Sequence, residues 1–177
     1  MEEGYSPRED TFLLAKAIEF YSGEYALEIG TGSGYIAKRL CENFDMVIAT
    51  DISLDSLKSI EKKKENLELL LCDSASPLNS AIFDLIVFNP PYLPSTNIED
   101  QKIDGLEGGI EIAKRFFLDA NRLIKPKGKI VVVLSTLSNY KEFLEFVKGL
   151  GYDLELLEHE RFFFEEIMVY QAKRVSL

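Results

Sequence analysis

Residues 25–40, YALEIGTGSGYIAKRL, decide the fold. YALEI reads as a buried strand and the run after Gly34 repeats apolar residues at helical spacing, so three alternate glycines join a strand to a helix. Gly30, Gly32 and Gly34 permit positive φ and let the backbone lie against a ligand with no Cβ in the way. The helix that begins near Gly34 points amide hydrogens at the same place. A tight connection by itself also uses glycines, but a strand before and a helix after are what a ligand-binding turn requires. The spacing is GxGxG and not the GxGxxG of pyrophosphate loops. Glu28, Gly30, Thr31, Gly32 and Gly34 are therefore candidate ligand-binding residues.

Outward from this turn, strands and helices alternate. Upstream, Ser6-Pro7 followed by REDTFLLAKAIEFY predicts a helix with acids in its first turn and an apolar stripe of Phe12, Leu13, Ala17, Ile18 and Phe20. Downstream come MVIAT (strand), SLDSLKSIEKKKE (helix), LELLLC (strand) and FDLIVF (strand). GIEIAKRFFLDANRLI (helix), GKIVVVLS (strand) and NYKEFLEFVKGLG (helix) follow, and the strands YDLELLEHE and FFEEIMVYQAKR close the chain. This order predicts an α/β fold, a mainly parallel sheet with helices on both faces. The short link between the last two strands predicts a terminal antiparallel hairpin.

A chain of 177 residues, 46% hydrophobic and 28% charged, fits one globular domain over residues 1–177. Its acidic start, MEEGYSPRED, and the lack of an apolar run of membrane-spanning length argue against secretion and membrane insertion, so a cytoplasmic protein is expected. The net charge of −10 disfavours direct nucleic-acid binding and suits a basic partner. Cys41 and Cys72 form no CxxC or Cys/His pattern and read as small buried or half-buried hydrophobes, with no metal site. His159, the single histidine, reads as an ordinary residue of a late strand. EKKKE, residues 61–65, reads as the solvated end of a helix, and RFFFEE, residues 161–166, as core packing and strand rim.

Asp51 ends the second strand, with Ile52 after it, where a carboxylate can accept hydrogen bonds from both hydroxyls of a ribose; a helix cap is the competing reading. Asp73, followed by Ser74, ends the third strand. It either receives an adenine amino group or caps a turn with Ser74 and Ser76. The fourth strand runs straight into FNPPY, residues 88–92. Two prolines end strand pairing and stiffen the backbone, but a plain terminator leaves Asn89 and Tyr92 unexplained.

After the fourth strand of such a sheet, NPPY resembles the (D/N/S)PP(Y/F) motif of class I S-adenosylmethionine-dependent methyltransferases acting on planar amino or amide nitrogens. The resemblance implies S-adenosylmethionine as cofactor and S-adenosylhomocysteine as product. It implies that Asn89 and the carbonyl of Pro90 accept hydrogen bonds from the target NH2, with Pro91 and Tyr92 completing the substrate site. YSPREDTFLL, residues 5–14, and GLEGGIEIAKRFFLDANRLIKPKGKI, residues 105–130, are similar to segments of the HemK-like glutamine methyltransferases of archaea and eukaryotes. That narrower resemblance implies N5-methylation of the glutamine in the Gly-Gly-Gln tripeptide of a class I translation release factor. It places Pro7, Asp10 and Thr11 at the methionine end of the cofactor pocket, where a helix cap is the bland alternative.

The same resemblance implies a seven-stranded sheet of order 3-2-1-4-5-7-6, with Leu67–Cys72 as an edge strand on which a small zinc-binding activator protein docks. Two features depart from the family. After Gly108-Gly109 the chain has IEI where relatives often carry another glycine, and the loop Leu93–Asp104 shows no match. Competing functions are N6-adenine methylation of DNA or RNA, protein-lysine methylation, and a non-catalytic binding subunit. The first needs base flipping and a basic track that this composition does not supply.

Overall fold

A computed structural model describes residues 8–61, 64–91 and 110–175. Twelve elements follow in the order α1 (Glu9–Ala17), β1 (Gly23–Ile29), α2 (Tyr35–Leu40), β2 (Phe44–Asp51), α3 (Leu54–Ser59), β3 (Leu67–Leu71), β4 (Phe83–Phe88), α4 (Ile110–Leu123), β5 (Ile124–Ser135), α5 (Tyr140–Gly149), β6 (Tyr152–Arg161) and β7 (Glu166–Arg174). The seven strands form one sheet of order β3-β2-β1-β4-β5-β7-β6, as expected. β1 to β5 pair in parallel, and β7 is antiparallel to both β5 and β6.

Both faces of the sheet are covered, which explains why the central strands read as unbroken apolar runs. Side chains alternate between faces along each strand. Leu85 and Val87 of β4 pack with Leu13 and Leu14 of α1, Ile36 of α2 and Leu57 of α3. Ile86 and Phe88 point the other way, against Phe117 of α4 and Phe143 of α5. Continuing this alternation sends the next residue, Asn89, toward the α1 face. Phe117 meets Phe143 and Tyr152 edge to face at 5.8 and 5.1 Å, so the second layer is locked by quadrupole-matched ring pairs as well as by area.

Several boundaries differ from the sequence expectation. α1 stops at Ala17, so Phe20 falls outside the helical repeat and is 90% exposed, while Phe12 is half exposed and packs edge-on against Tyr35. α3 ends at Ser59, capped at its start by the Ser53 side chain, so the charged run 61–65 follows the helix; residues 62–63 lie outside the described residues. α2 is six residues long because β2 already begins at Phe44. β7 begins at Glu166, not at Phe163. Residues 162–165 consequently form a turn in which Phe162 packs on the core, and Phe163 and Phe164 are 91% and 84% exposed. Cys41 and Cys72 are free, buried and half-buried, and His159 is an exposed β6 residue beside Glu166. Among the described residues no helix is long and apolar enough to cross a membrane, and no cluster of ligating side chains could hold a metal.

Candidate active site

The carboxyl ends of β1 and β4 and the start of α1 enclose a cavity of about 310 Å³, within the range of small-ligand sites. Asp10, Thr11, Glu28, Gly30, Thr31, Gly32, Asn89, Pro90 and Pro91 line it, together with Arg8, Ser33, Tyr35 and Ile36. Nine residues singled out from separate motifs thus share one wall. Pro7 and Tyr92 lie outside the described residues, as do the loop 93–104 and Gly108-Gly109.

The glycine turn takes the shape its sequence demands. Gly30, Gly32 and Gly34 have φ of 73°, 51° and 72°, a region side chains avoid. A Cβ on Gly34 would also stand 2.8 Å from Ile60, and one on Gly30 3.2 Å from the Phe116 ring. The amides of this turn serve the protein itself. Gly30 and Thr31 N–H donate to the Thr50 carbonyl, Gly32 N–H to Asp51 Oδ2 and Gly34 N–H to the Thr31 carbonyl. The loop therefore offers a ligand its bare glycine surface instead of those donors.

Glu28 is 95% buried beneath this turn, accepting a 2.5 Å hydrogen bond from Thr31 Oγ1. Burial pushes its carboxyl up to about 8, against the opposing pull of the Thr31 hydroxyl and the Ala37 amide and with a small push from Asp51. The acid shares a cavity wall with Arg8, and a positively charged ligand beside it would favour its ionised form.

Asn89 is the most informative group. Its Nδ2 donates to Asp10 Oδ2 at 2.9 Å. A carboxylate only accepts, so this contact fixes which end of the amide faces Asp10 and turns Oδ1 the other way. Among the described residues Oδ1 is buried without a hydrogen-bond partner, a costly condition for a native polar atom unless a ligand relieves it. Asp10 is itself held, its Oδ1 accepting from Thr11 N–H at 2.7 Å and Thr11 Oγ1 at 3.2 Å.

Asp51, Ile52, Asp73, Ser74 and Gly34 stand at the same sheet end but do not line the cavity. Asp51 bridges the glycine turn and the start of α3, accepting from Gly32 N–H and from Ser53 N–H, each at 2.8 Å and each on a different oxygen. One further lone pair per oxygen is left for a diol. Ile52 is 72% exposed. Asp73 forms an ion pair with Arg115 of α4 at 3.0 Å, and its backbone carbonyl receives Ser76 N–H. Ser74 is buried with φ of 54°.

Sequence reasoning missed the α4 residues that brace this last loop. Asp119 Oδ2 accepts from Ala75 N–H at 2.9 Å, and Arg122 donates to the carbonyls of Ala75, Ser76 and Leu78 and pairs with Asp119. Partial burial works to raise the Asp119 carboxyl, but the nearby Ser74 hydroxyl and the bonds from Ala75 and Arg122 outweigh it and hold the group below its ordinary value. The i, i+3 spacing of Asp119 and Arg122 was visible, but nothing in it says that both reach the loop after β3.

Comparisons agree with this geometry. The family model of the methyltransferase small domain matches residues 9–157. A Methanocaldococcus jannaschii protein named as a protein N5-glutamine methyltransferase is 32% identical across 98% of this chain and 93% of its own. The human methyltransferase HEMK2 is 30% identical across 83% of this chain and 78% of its own. Among solved structures, one chain of the E. cuniculi Mtq2-Trm112 complex superposes with a TM-score of 0.76 over 97% of this chain and 99% of that one, at 24% identity, a likeness of fold. The chain thus belongs to the HemK-like class I S-adenosylmethionine-dependent methyltransferases.

Proposed function

We propose that this protein methylates the side-chain amide nitrogen, N5, of the glutamine in the Gly-Gly-Gln tripeptide of a class I translation release factor. The observation that carries this reading is Asn89, a residue of the cavity lining whose amide is anchored through its NH2 by Asp10 and whose Oδ1 is buried without a partner among the described residues. An amide nitrogen is a weak nucleophile because its lone pair is delocalised. Aligning it and drawing its hydrogens toward fixed acceptors matters more than a strong base. Asn89 Oδ1 is one such acceptor and the Pro90 carbonyl the other, with Pro90-Pro91 limiting their movement; Tyr92, outside the described residues, is the substrate-site residue that the motif resemblance implies.

S-adenosylmethionine supplies an electrophilic methyl group on a sulfonium. The residues present fit it: the cavity volume suits a nucleoside-sized ligand, and Glu28 offers its buried acid to a cationic one. Asp10 and Thr11 would hold its methionine end, Gly30, Thr31 and Gly32 would give it close backbone approach, Asp51 and Ile52 would hold the ribose, and Asp73 and Ser74 the adenine. Names of relatives support the acceptor. The archaeal relative is named for N5-glutamine methylation, and the structure of the Mtq2–Trm112 complex is described as responsible for methylating the termination factor eRF1. A single domain over residues 1–177, working in the cytoplasm where termination occurs, belongs to the same reading.

The edge of the sheet extends it to a partner. Among the described residues β3 pairs on one side only, and Leu71, Ile52 and Leu54 nearby are 50%, 72% and 47% exposed. Among the described residues this edge is apolar apart from Glu68, a character that favours strand addition, and a small zinc-binding activator is the occupant assigned here. Purification of the chain alone as a monodisperse, fully active enzyme would refute that assignment. For the reaction itself, labelled S-adenosylmethionine is incubated with a release factor or its Gln→Ala variant; equal labelling of the two refutes the glutamine acceptor. Asn89→Ala should abolish transfer while cofactor binding persists.

A further inference from the structure

The turn between β6 and β7 carries the most exposed aromatic pair among the described residues. Phe163 and Phe164 are 91% and 84% exposed and touch each other edge to face, with ring centres 4.5 Å apart. Two adjacent phenyl rings in water are an unfavourable surface unless something covers them. The turn that holds them is firmly built. Phe162 packs on the core, and Phe162 N–H donates to the Glu165 carbonyl at 2.7 Å. Thr136 N–H donates to the Glu166 carbonyl at 3.0 Å, Glu166 N–H to Thr136 Oγ1 at 2.9 Å, and Ser135 Oγ to Glu165 Oε1 at 2.5 Å. The rings are therefore displayed on a preorganised support, which lowers the ordering cost of any contact they make.

Strand register locates this turn relative to Asn89. Phe88 of β4 lies level with Val132 of β5, and Ser135 of β5 lies level with Ile167 of β7. The turn before Ile167 therefore projects from the same end of the sheet as Asn89. It stands two strands to the side, about 10 Å, and begins about two residues further out, which puts the rings roughly 15–20 Å from the Asn89 amide. α1 ties the two places together, carrying Asp10 against Asn89 at its start and Lys16 against Glu158 of β6 at 2.8 Å near its end.

We infer that Phe163 and Phe164 form a docking site for the folded protein substrate, engaging an apolar patch on it while its glutamine side chain reaches Asn89. The inference rests on the glutamine reading above. Distance selects a substrate larger than the Gly-Gly-Gln tripeptide, which at about 3.3–3.6 Å per extended residue reaches only about 10 Å. The chemistry selects protein over RNA. The rings stand nearly perpendicular, at 82°, so they do not offer parallel stacking platforms, and the strand ends and turn that carry them hold Glu158, Glu160, Glu165 and Glu166 against Arg161 and His159, on a chain of net charge −10. A basic protein surface with an apolar centre is complementary to that arrangement, with the aromatic pair as its buried anchor.

The test compares the full chain with its Phe163→Ser/Phe164→Ser variant on two substrates, the folded release factor and a capped Gly-Gly-Gln tripeptide. Expected are a rise of at least tenfold in KM for the folded factor, an unchanged kcat, an unchanged KM for the peptide, and unchanged S-adenosylhomocysteine affinity; Phe163→Leu/Phe164→Leu should restore most of the KM. An unchanged KM for the factor overturns the docking site, as does an equal loss on the peptide, which would report a structural effect. A loss that appears only when RNA is present overturns it in favour of an RNA contact. Failure of the unsubstituted chain to discriminate the factor from its Gln→Ala variant is the separate result that overturns the glutamine reading, and this inference with it.

Discussion

Replacing Asp10 separates orientation of the acceptor amide from cofactor binding. Asp10 holds Asn89 Nδ2 at 2.9 Å, and only a group that cannot donate forces Oδ1 to face away from it. In Asp10→Ala the Asn89 amide is free to rotate, and both orientations become populated. A hydrogen bond to a charged group contributes about 1.5–3 kcal/mol. At 1.36 kcal/mol per factor of ten, its loss corresponds to a fall in kcat of roughly 10- to 100-fold. Asp10→Asn can still accept through its own oxygen but lacks the charge and can also donate, so its loss should lie between the parent and Asp10→Ala.

The side effects are calculable and can be controlled. Glu9 and Asp10 are both acids in the first turn of α1, where each favours the helix dipole by about 0.3–1 kcal/mol. Glu9→Ala loses that contribution without touching Asn89, so it should lower Tm comparably while leaving kcat near the parent value. The assay is steady-state methylation of the release factor alongside calorimetric binding of S-adenosylhomocysteine, for Asp10→Ala, Asn89→Ala and the double variant. Residues acting as a unit are strongly non-additive, so the double variant should be hardly worse than Asn89→Ala. An Asp10→Ala enzyme with parental kcat refutes the orientation role. A loss accounted for entirely by weaker cofactor binding does the same.

Glu28 gives a pH test. Its carboxyl is raised in the fold from 4.5 to about 8, so its neutral form is favoured, and the stability this provides is complete below about pH 4.5 and is lost as pH rises through about 8. Glu28→Gln stays neutral; its Tm should match the parent near pH 4.5 and exceed it increasingly toward pH 8 without cofactor, and parallel curves across that interval would contradict the burial argument. Gly34→Ala places a Cβ 2.8 Å from Ile60 at a φ of 72° and should cost at least about 1–2 kcal/mol from the backbone alone, read as a lower denaturation midpoint; an unchanged midpoint would mean that the turn relaxes freely. Arg122→Met removes the donors to Ala75, Ser76 and Leu78, and hydrogen exchange at Ala75 N–H should accelerate by about tenfold, from a loss of roughly 1.5 kcal/mol; unchanged exchange would leave Asp119 as the sole brace.

What was legible in the sequence divides along a physical line. β4 could be read to the residue because FDLIVF is apolar on both faces and proline ends it, two signals that local chemistry alone supplies. The cavity wall was legible for the same reason: positive-φ glycines and a rigid Asn-Pro-Pro announce backbone shape, and the alternating fold brings such turns to one end of the sheet. The Asp10–Asn89 contact and the reach of Arg122 into the loop after β3 join residues far apart in the chain, and no periodicity encodes which side chains meet there. Phe163 and Phe164 failed in the opposite direction. An FFF run following a strand pattern reads as core, because burial is what aromatic residues ordinarily gain from folding. The turn instead places two of the three in water, and the energy left ungained there is available to a surface that covers them.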